Sequence, residues 1–328
     1  MRFFGRCMKA LKSRIPDMRH IRKNRAMTTW SIVFFLFFVE WIIFPESLGA
    51  ANLQTIFIIA IPLFFATLAQ TMVMIVGSID LSIGALMSLT TCIASYLLVE
   101  NLALGIATLI VLGAVVGLAN GFLVINLKVN PFIATFGMMF ALEGAALTIR
   151  NYPGGAVPES LLGIVKFQIY SISIYEILIL ILGAGFFWFF LNKTSSGIHF
   201  LATGASRSVA KNCGINVDLV TRKAHLICGL ITALFAGLFL TIRFQAGSPL
   251  VGEPYLLFSF AASALGATRV SGGDADAGSL LGAVFILTLI ENAMNLALID
   301  TKSQWIIEGF LLLVILAAVG SSKKRRSG

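Results

Sequence analysis

Between Gln54 and Glu100 the chain reads QTIFIIAIPLFFATLAQTMVMIVGSIDLSIGALMSLTTCIASYLLVE, two long apolar runs on either side of Val76-Gly-Ser-Ile-Asp-Leu-Ser-Ile-Gly84. Before the closing Glu100, Asp80 is the only charge in the whole stretch. A helix that crosses a bilayer needs about 20 mostly apolar residues, and each run has that length. The hydrocarbon core offers no water to an open backbone, so helices rather than strands carry the crossings.

The rest of the chain repeats this pattern. Of 328 residues, 58% are hydrophobic and only 12% charged, against roughly a quarter charged in soluble domains. Ten apolar segments stand out, near 28–45, 54–76, 79–100, 103–127, 131–150, 171–191, 224–245, 255–270, 277–299 and 303–320. The expected fold is therefore all-α and polytopic, with about ten transmembrane helices. The chain divides into a basic tail (1–27), a membrane domain (28–320) and a second basic tail (321–328). No segment is long enough for a separate soluble domain.

Positive residues set the orientation, because Lys and Arg accumulate on the cytoplasmic side. Arg2, Arg6, Lys9, Lys12, Arg14, Arg19, Arg22, Lys23 and Arg25 face one acid, Asp17, and the chain closes on Lys323-Lys-Arg-Arg326. Ten spans also place Lys128, Lys193, Arg207, Lys211, Arg222, Lys223 and Arg269 inside, leaving only Arg150, Lys166, Arg243 and Lys302 outside. Both termini are thus expected in the cytoplasm, in a cytoplasmic (inner) membrane. Residues 1–50 have the outline of a signal peptide, but Glu40 and Trp41 within the apolar run and the long basic start favour a retained anchor.

The net charge of +9 reads as topology and attraction to anionic headgroups. It does not read as nucleic-acid binding, since the basic tails lack interleaved aromatic residues. Cys7, Cys92, Cys213 and Cys228 show no Cys-x-x-Cys spacing, and His20, His199 and His225 are scattered. Neither a disulfide framework nor a metal site follows. The chain has no Gly-x-x-x-x-Gly-Lys-Ser phosphate loop, so it is expected to bind no cofactor itself and to draw its energy from elsewhere.

Polar groups inside such a chain are the candidates for function. Asp80 and Ser82 precede a helical stretch, Leu81–Leu98, whose free N–H groups they can cap. Capping and direct contact with cargo are both open to Asp80. Ser78, Asp80, Ser82, Asn130, Phe132, Glu143, Asn292 and Asn295 form the expected substrate path. Glu143 and Arg150 lie two helical turns apart on one face, too far for a direct pair. Small residues, as in Gly113-Ala-Val-Val-Gly117, read as close helix packing.

The connection 192–223 is the largest expected on the cytoplasmic side. Within it, Ser206–Cys213 reads as two helical turns, with Ser206 as N-cap and Gly214 as the stop. A short helix on the membrane surface is a handle for a partner. Gly204, Ala205, Ser206, Val209, Ala210, Lys211, Asn212, Gly214 and Ile215 are its candidate docking residues.

Val76-Gly-Ser-Ile-Asp-Leu-Ser-Ile-Gly84 resembles the Gly-Gly-Ile-Asp-Leu-Ser-Val-Gly signature of ribose-type sugar permeases of bacterial ABC importers. Similar matches follow in the same order: Gly117-Leu-Ala-Asn-Gly-Phe-Leu-Val124, Val129-Asn-Pro-Phe-Ile-Ala-Thr-Phe-Gly137, Gly204 through Gly214-Ile-Asn-Val217, and Gly272-Gly273. The likeness covers roughly 50–320. It implies a type II-like importer permease that pairs with a second permease chain, identical or different. It also implies a periplasmic substrate-binding protein as donor and two cytoplasmic ATPase subunits that carry the ATP and magnesium. The segment Thr203–Val217 would contain the helix that docks on the ATPase.

Departures from that pattern bear on cargo. Glu143 and Glu308 stand where relatives often carry a basic residue, Leu256-Leu-Phe258-Ser-Phe-Ala-Ala262 stands where they have acidic positions, and Gly266-Ala267 replaces a Gly-Gly. A branched-chain amino acid or a furanone-type signal is therefore an alternative cargo to sugar. An ion-driven secondary transporter using Glu143 and Glu291 as proton carriers is a further reading, and a sensor or scaffold that moves nothing is another.

Overall fold

The computed structural model describes residues 18–166, 168–169, 172–266, 272–300, 302–311 and 313. The helices are α1 (Met18–Ile43), α2 (Ala50–Ile75), α3 (Ile83–Glu100), α4 (Leu102–Ile125), α5 (Pro131–Ile149), α6 (Glu159–Lys166), α7 (Ile174–Lys193), α8 (Ser195–Ala205), α9 (Arg207–Asn212), α10 (Val217–Ile231), α11 (Leu238–Phe244), α12 (Glu253–Leu265) and α13 (Ala277–Leu296). A ribbon of two-residue strands, β1 (Gln168–Ile169) and β2 (Ile172–Ser173), leads into α7. Residues 302–311 are also helical.

The helix α2 is the hub of the bundle. It is apolar on every face, and such a helix is stable only when surrounded. It packs against α7, α10, α12 and α13, burying Leu63, Phe64, Met74 and Ile75 completely or nearly so. By contrast α1, α4, α5 and α7 turn wide rows of Phe, Leu and Ile outward. In water such rows would drive aggregation; in a bilayer they are solvated by acyl chains.

The joint between α4 and α10 is made by small residues. A Cβ on Gly113 would lie 2.5 Å from the carbonyl oxygen of Gly229, and one on Gly117 would lie 2.5 Å from that of His225. Only hydrogen at these positions lets the two backbones approach so closely. The expected close packing of 113–117 is what the bundle shows.

Helix boundaries differ from expectation in three places. The first helix starts at Met18, upstream of 28, although its apolar part begins near Arg25. The expected span 224–245 is a longer rod running from Val217 to Phe244, interrupted by one turn of π-helix at Thr232–Gly237.

The expected span 255–270 is the short helix α12, which holds 13 residues. Before it, the non-helical segment 246–252 lies along α3 and turns at 249–252: Ser248 N–H donates to Thr91 Oγ1 at 3.1 Å, Thr91 returns a bond to the Ser248 carbonyl at 3.0 Å, and Gly252 N–H donates to Ser88 Oγ at 2.8 Å. Backbone without helical bonds is tolerated inside a membrane domain where neighbouring side chains satisfy it, as here. Eight helices among the described residues are long and apolar enough to cross a membrane. The expected tenth span, 303–320, lies partly outside the described residues.

Cys92 and Cys228 are free thiols in the bundle, while Cys213 is disulfide-bonded. Sequence spacing gave no sign of that bond.

Candidate functional site

The connection between α2 and α3 folds inward rather than out to solvent. Gly77 takes a left-handed φ of 75°, which turns the chain back beneath the end of α2. Ser78, Asp80 and Ser82 are then all buried. Asp80 Oδ1 accepts from Ser82 N–H at 2.9 Å and from Ser82 Oγ at 2.6 Å. Its other oxygen accepts from Asn120 Nδ2 on α4 at 3.1 Å and faces His225 Nδ1 on α10 at 3.6 Å.

The same loop is secured on two further sides. Ser78 Oγ and His225 Nε2 are hydrogen-bonded at 2.9 Å, and Leu81 N–H donates to Thr135 Oγ1 of α5 at 3.0 Å. Burial pushes the Asp80 carboxyl up, but the facing His225 imidazole and the hydrogen bonds from Ser82 outweigh it and hold the group below its ordinary value. The carboxylate is thus kept ionised and spent on protein partners. It ties α2, α3, α4 and α10 together at one point.

Capping by Asp80 takes a different form from the one expected. The helix starts at Ile83 rather than Leu81, and Ser82 at its N-cap makes no side-chain cap bond. Asp80 bonds Ser82, the residue before the helix, closing a turn in the loop. Asn120 and His225 belong to this cluster and were not among the expected site residues. Asn120 sits inside the quoted Gly117–Val124 motif, so its polarity in an apolar helix was the available signal.

The remaining members of the expected path lie apart. Asn130 caps α5 by accepting from Phe132 N–H at 3.0 Å, and Phe132 is exposed and stacks on Phe136. Glu143 is half-buried further along α5. Asn292 is buried and donates to Glu40 of α1, whereas Asn295 is exposed and accepts from Gln304 at 3.0 Å. Glu291 does not share a partner with either: Arg243 Nη2 donates to it at 2.8 Å.

The segment 192–223 forms two short helices joined at a corner. Thr194 caps α8 by accepting from Gly197 N–H at 3.0 Å, and Ser206 caps α9 by accepting from Val209 N–H at 3.4 Å. Gly214, with φ 82°, ends the second. Ala205, Val209, Lys211 and Asn212 face outward, while Ala210 and Ile215 are buried in the core. Ser206 and Gly204 sit at the corner itself.

Gly204 is where this segment meets the bundle. A Cβ there would collide with the Ile75 carbonyl oxygen and the Gly273 nitrogen. Gly273 N–H itself donates to Ile75 O at 2.8 Å, and both Gly272 and Gly273 have left-handed φ. The ends of α8 and α2 and the start of the segment leading to α13 therefore touch backbone to backbone.

Comparison with known proteins bears on this arrangement. The model of the family described as branched-chain amino acid transport system / permease component matches residues 52–319. The ribose import permease protein of Escherichia coli K12 is 30% identical over 266 residues, 78% of this chain and 81% of that protein. The L-arabinose ABC transporter permease protein of Azospirillum brasilense is 30% identical over 275 residues, 82% of this chain and 80% of that protein. An autoinducer 2 import system permease protein of Escherichia coli O9:H4 strain HS is 27% identical over 281 residues, 82% of each. No solved structure matches the chain significantly.

Proposed function

We infer, because the chain belongs to the family of branched-chain amino acid transport system permease components, that it is the membrane subunit of an ABC importer for a sugar or sugar-like solute. It performs no covalent chemistry on its cargo. ATP is bound and hydrolysed by separate subunits, and a binding protein delivers the solute from the other side of the membrane.

The observation that carries this reading is the contact of Gly204 with Ile75 and Gly273. The surface helix α9 is rigidly capped, and its neighbour α8 touches the end of the central helix α2 with no side chain between. Displacement of α9 by a partner therefore reaches α2 directly, and through the Asp80 cluster reaches α3, α4 and α10. Packed helices move as levers because close-packed interiors deform little. Ala205, Val209, Lys211 and Asn212 are the surface an ATPase would grip.

For the cargo, a concavity of about 210 Å³ lies between Glu253, Pro254, Leu257, Phe258, Trp305, Glu308 and Gly309. An indole face against carboxylates that accept hydrogen bonds suits a polyhydroxylated solute, whose hydroxyls each lose about 1–3 kcal/mol when buried unpaired. The relatives named for ribose and L-arabinose support a sugar. The proton-carrier reading loses support, since Glu291 is already held by Arg243.

Two measurements test the proposal. Replacing Ala205–Asn212 by a Gly-Ser run should leave the chain inserted in the membrane but abolish its co-purification with an ATPase; unchanged co-purification would discard the lever. Cells given the complete transporter should accumulate labelled ribose or arabinose, and accumulation of no pentose or hexose would discard the cargo.

A further inference from the structure

A second cavity, of about 380 Å³, opens between α2, α6, α7 and α11, away from the Asp80 cluster and from the concavity at Trp305. Its volume falls within the roughly 300–1,000 Å³ of small-molecule sites. The wall is mostly aliphatic and aromatic, supplied by Ile58, Pro62, Leu162, Ile179, Phe239 and Ile242. Tyr175, Glu176, Arg243 and Gln245 are its polar lining residues.

Glu176 is the anomaly. It sits in the first turn of α7 on the same inward face as Leu180, Phe187 and Leu191, and only 2% of it is exposed. Both of its carboxylate oxygens are buried with no hydrogen-bond partner. Buried polar atoms are nearly always paired, and an ionisable group within a membrane domain has a partner or a task.

Arg243 does not supply that partner. Its guanidinium donates to the Tyr255 hydroxyl at 2.6 Å and to Glu291 at 2.8 Å, and no ion pair joins it to Glu176 among the described residues. Among the described residues, the charges around the cavity then come to Arg243 matched by Glu291, with the Glu176 carboxylate left over. One positive charge on an apolar body completes the set.

We propose that this cavity is a binding site for a primary ammonium attached to an apolar body, with Glu176 receiving the ammonium. The apolar wall buries the body, and the two bare oxygens accept the N–H donors. The ammonium can belong to a free hydrophobic amine or to the ethanolamine headgroup of a membrane lipid, and the two sources are separable by experiment.

The test uses the purified full chain in dodecyl maltoside and two probes of one shape, 1-naphthylmethylamine and 1-ethylnaphthalene, followed by their fluorescence. The amine should bind saturably, and roughly tenfold to a hundredfold more tightly than the hydrocarbon, the ratio expected of one charge-assisted hydrogen-bonded contact. Glu176→Gln, which keeps the shape and removes the charge, should erase that preference. Leu162→Trp, which fills the cavity and leaves Glu176 in place, should weaken both probes.

Repeating the titration in nanodiscs of phosphatidylcholine with and without phosphatidylethanolamine assigns the source. Competition by phosphatidylethanolamine means that the lipid headgroup occupies the site, and no competition means a free amine. Non-saturable partitioning of the amine, or equal affinity of wild type and Glu176→Gln, overturns the proposal. If Glu176→Gln proves unfolded, undiminished saturable amine binding by Leu162→Trp overturns it as well.

Discussion

Asn120 on α4 donates a hydrogen bond at 3.1 Å to Asp80, a residue 40 positions earlier in a loop between two other helices. The same amide also donates to Ser82 Oγ at 3.0 Å. One side chain thus fixes both members of the loop's polar pair, and the loop in turn fixes the helices.

Substituting Asp80→Asn should destabilise the bundle by about 2–4 kcal/mol, because Ser82 and Asn120 lose a charged acceptor, and His225 the charge it faces, in a buried site. The check is unfolding of the purified protein in mixed micelles. The folded-state carboxyl lies below its ordinary value of 3.8. Stabilisation from a depressed acid is complete above the unfolded value and is lost as pH falls through the folded one. The gap between wild type and Asp80→Asn should accordingly be constant at neutral pH and close only below about 4.

Glycines on two neighbouring helices should respond in opposite ways. Gly117→Ala places a methyl group against the His225 carbonyl and should cost about 1–3 kcal/mol. Gly137→Ala on α5 meets nothing within 4 Å and should be neutral or slightly stabilising. Thermal stability of the two purified variants, measured side by side, decides this.

Glu40 and Asn292 form a buried bond between α1 and α13. Removing either partner with a leucine should leave the other unpaired, while the double replacement should recover part of the loss. A double-mutant cycle should give a coupling of about 0.5–2 kcal/mol. A coupling of zero would show that the two side chains are not bonded in the membrane.

Tyr255→Phe removes one of the two acceptors of Arg243 and should cost about 1–3 kcal/mol. Arg243→Leu should cost more, since it strips both Tyr255 and Glu291 of their donor. The order of the two variants in an unfolding series is the readout.

Much of the fold is legible in the sequence because a bilayer reads hydropathy and charge, and both are local. The runs at 54–76, 103–127 and 277–299 were visible on apolar length alone, and α9 was visible from Ser206 and Gly214. What escaped is what depends on distant partners. His225 reads as a lone histidine until the chain folds Ser78 against it, 147 positions away. The segment 246–252 and α12 together read as apolar sequence, and only the hydroxyls of Ser88 and Thr91, which bond Ser248 and Gly252, reveal that the backbone before α12 can leave the helix.

The single π turn at Thr232–Gly237 inserts an irregularity into an otherwise continuous rod. Each residue of an α-helix advances about 100° around its axis. The turn therefore sets the angular phase between the half that carries His225 and the half that carries Arg243. Winding the same residues as regular α-helix would rotate one half by roughly 100° against the other: with His225 seated on Asp80, Arg243 would swing away from Tyr255 and Glu291. The irregular turn is the dial that lets one rod serve two polar clusters at once.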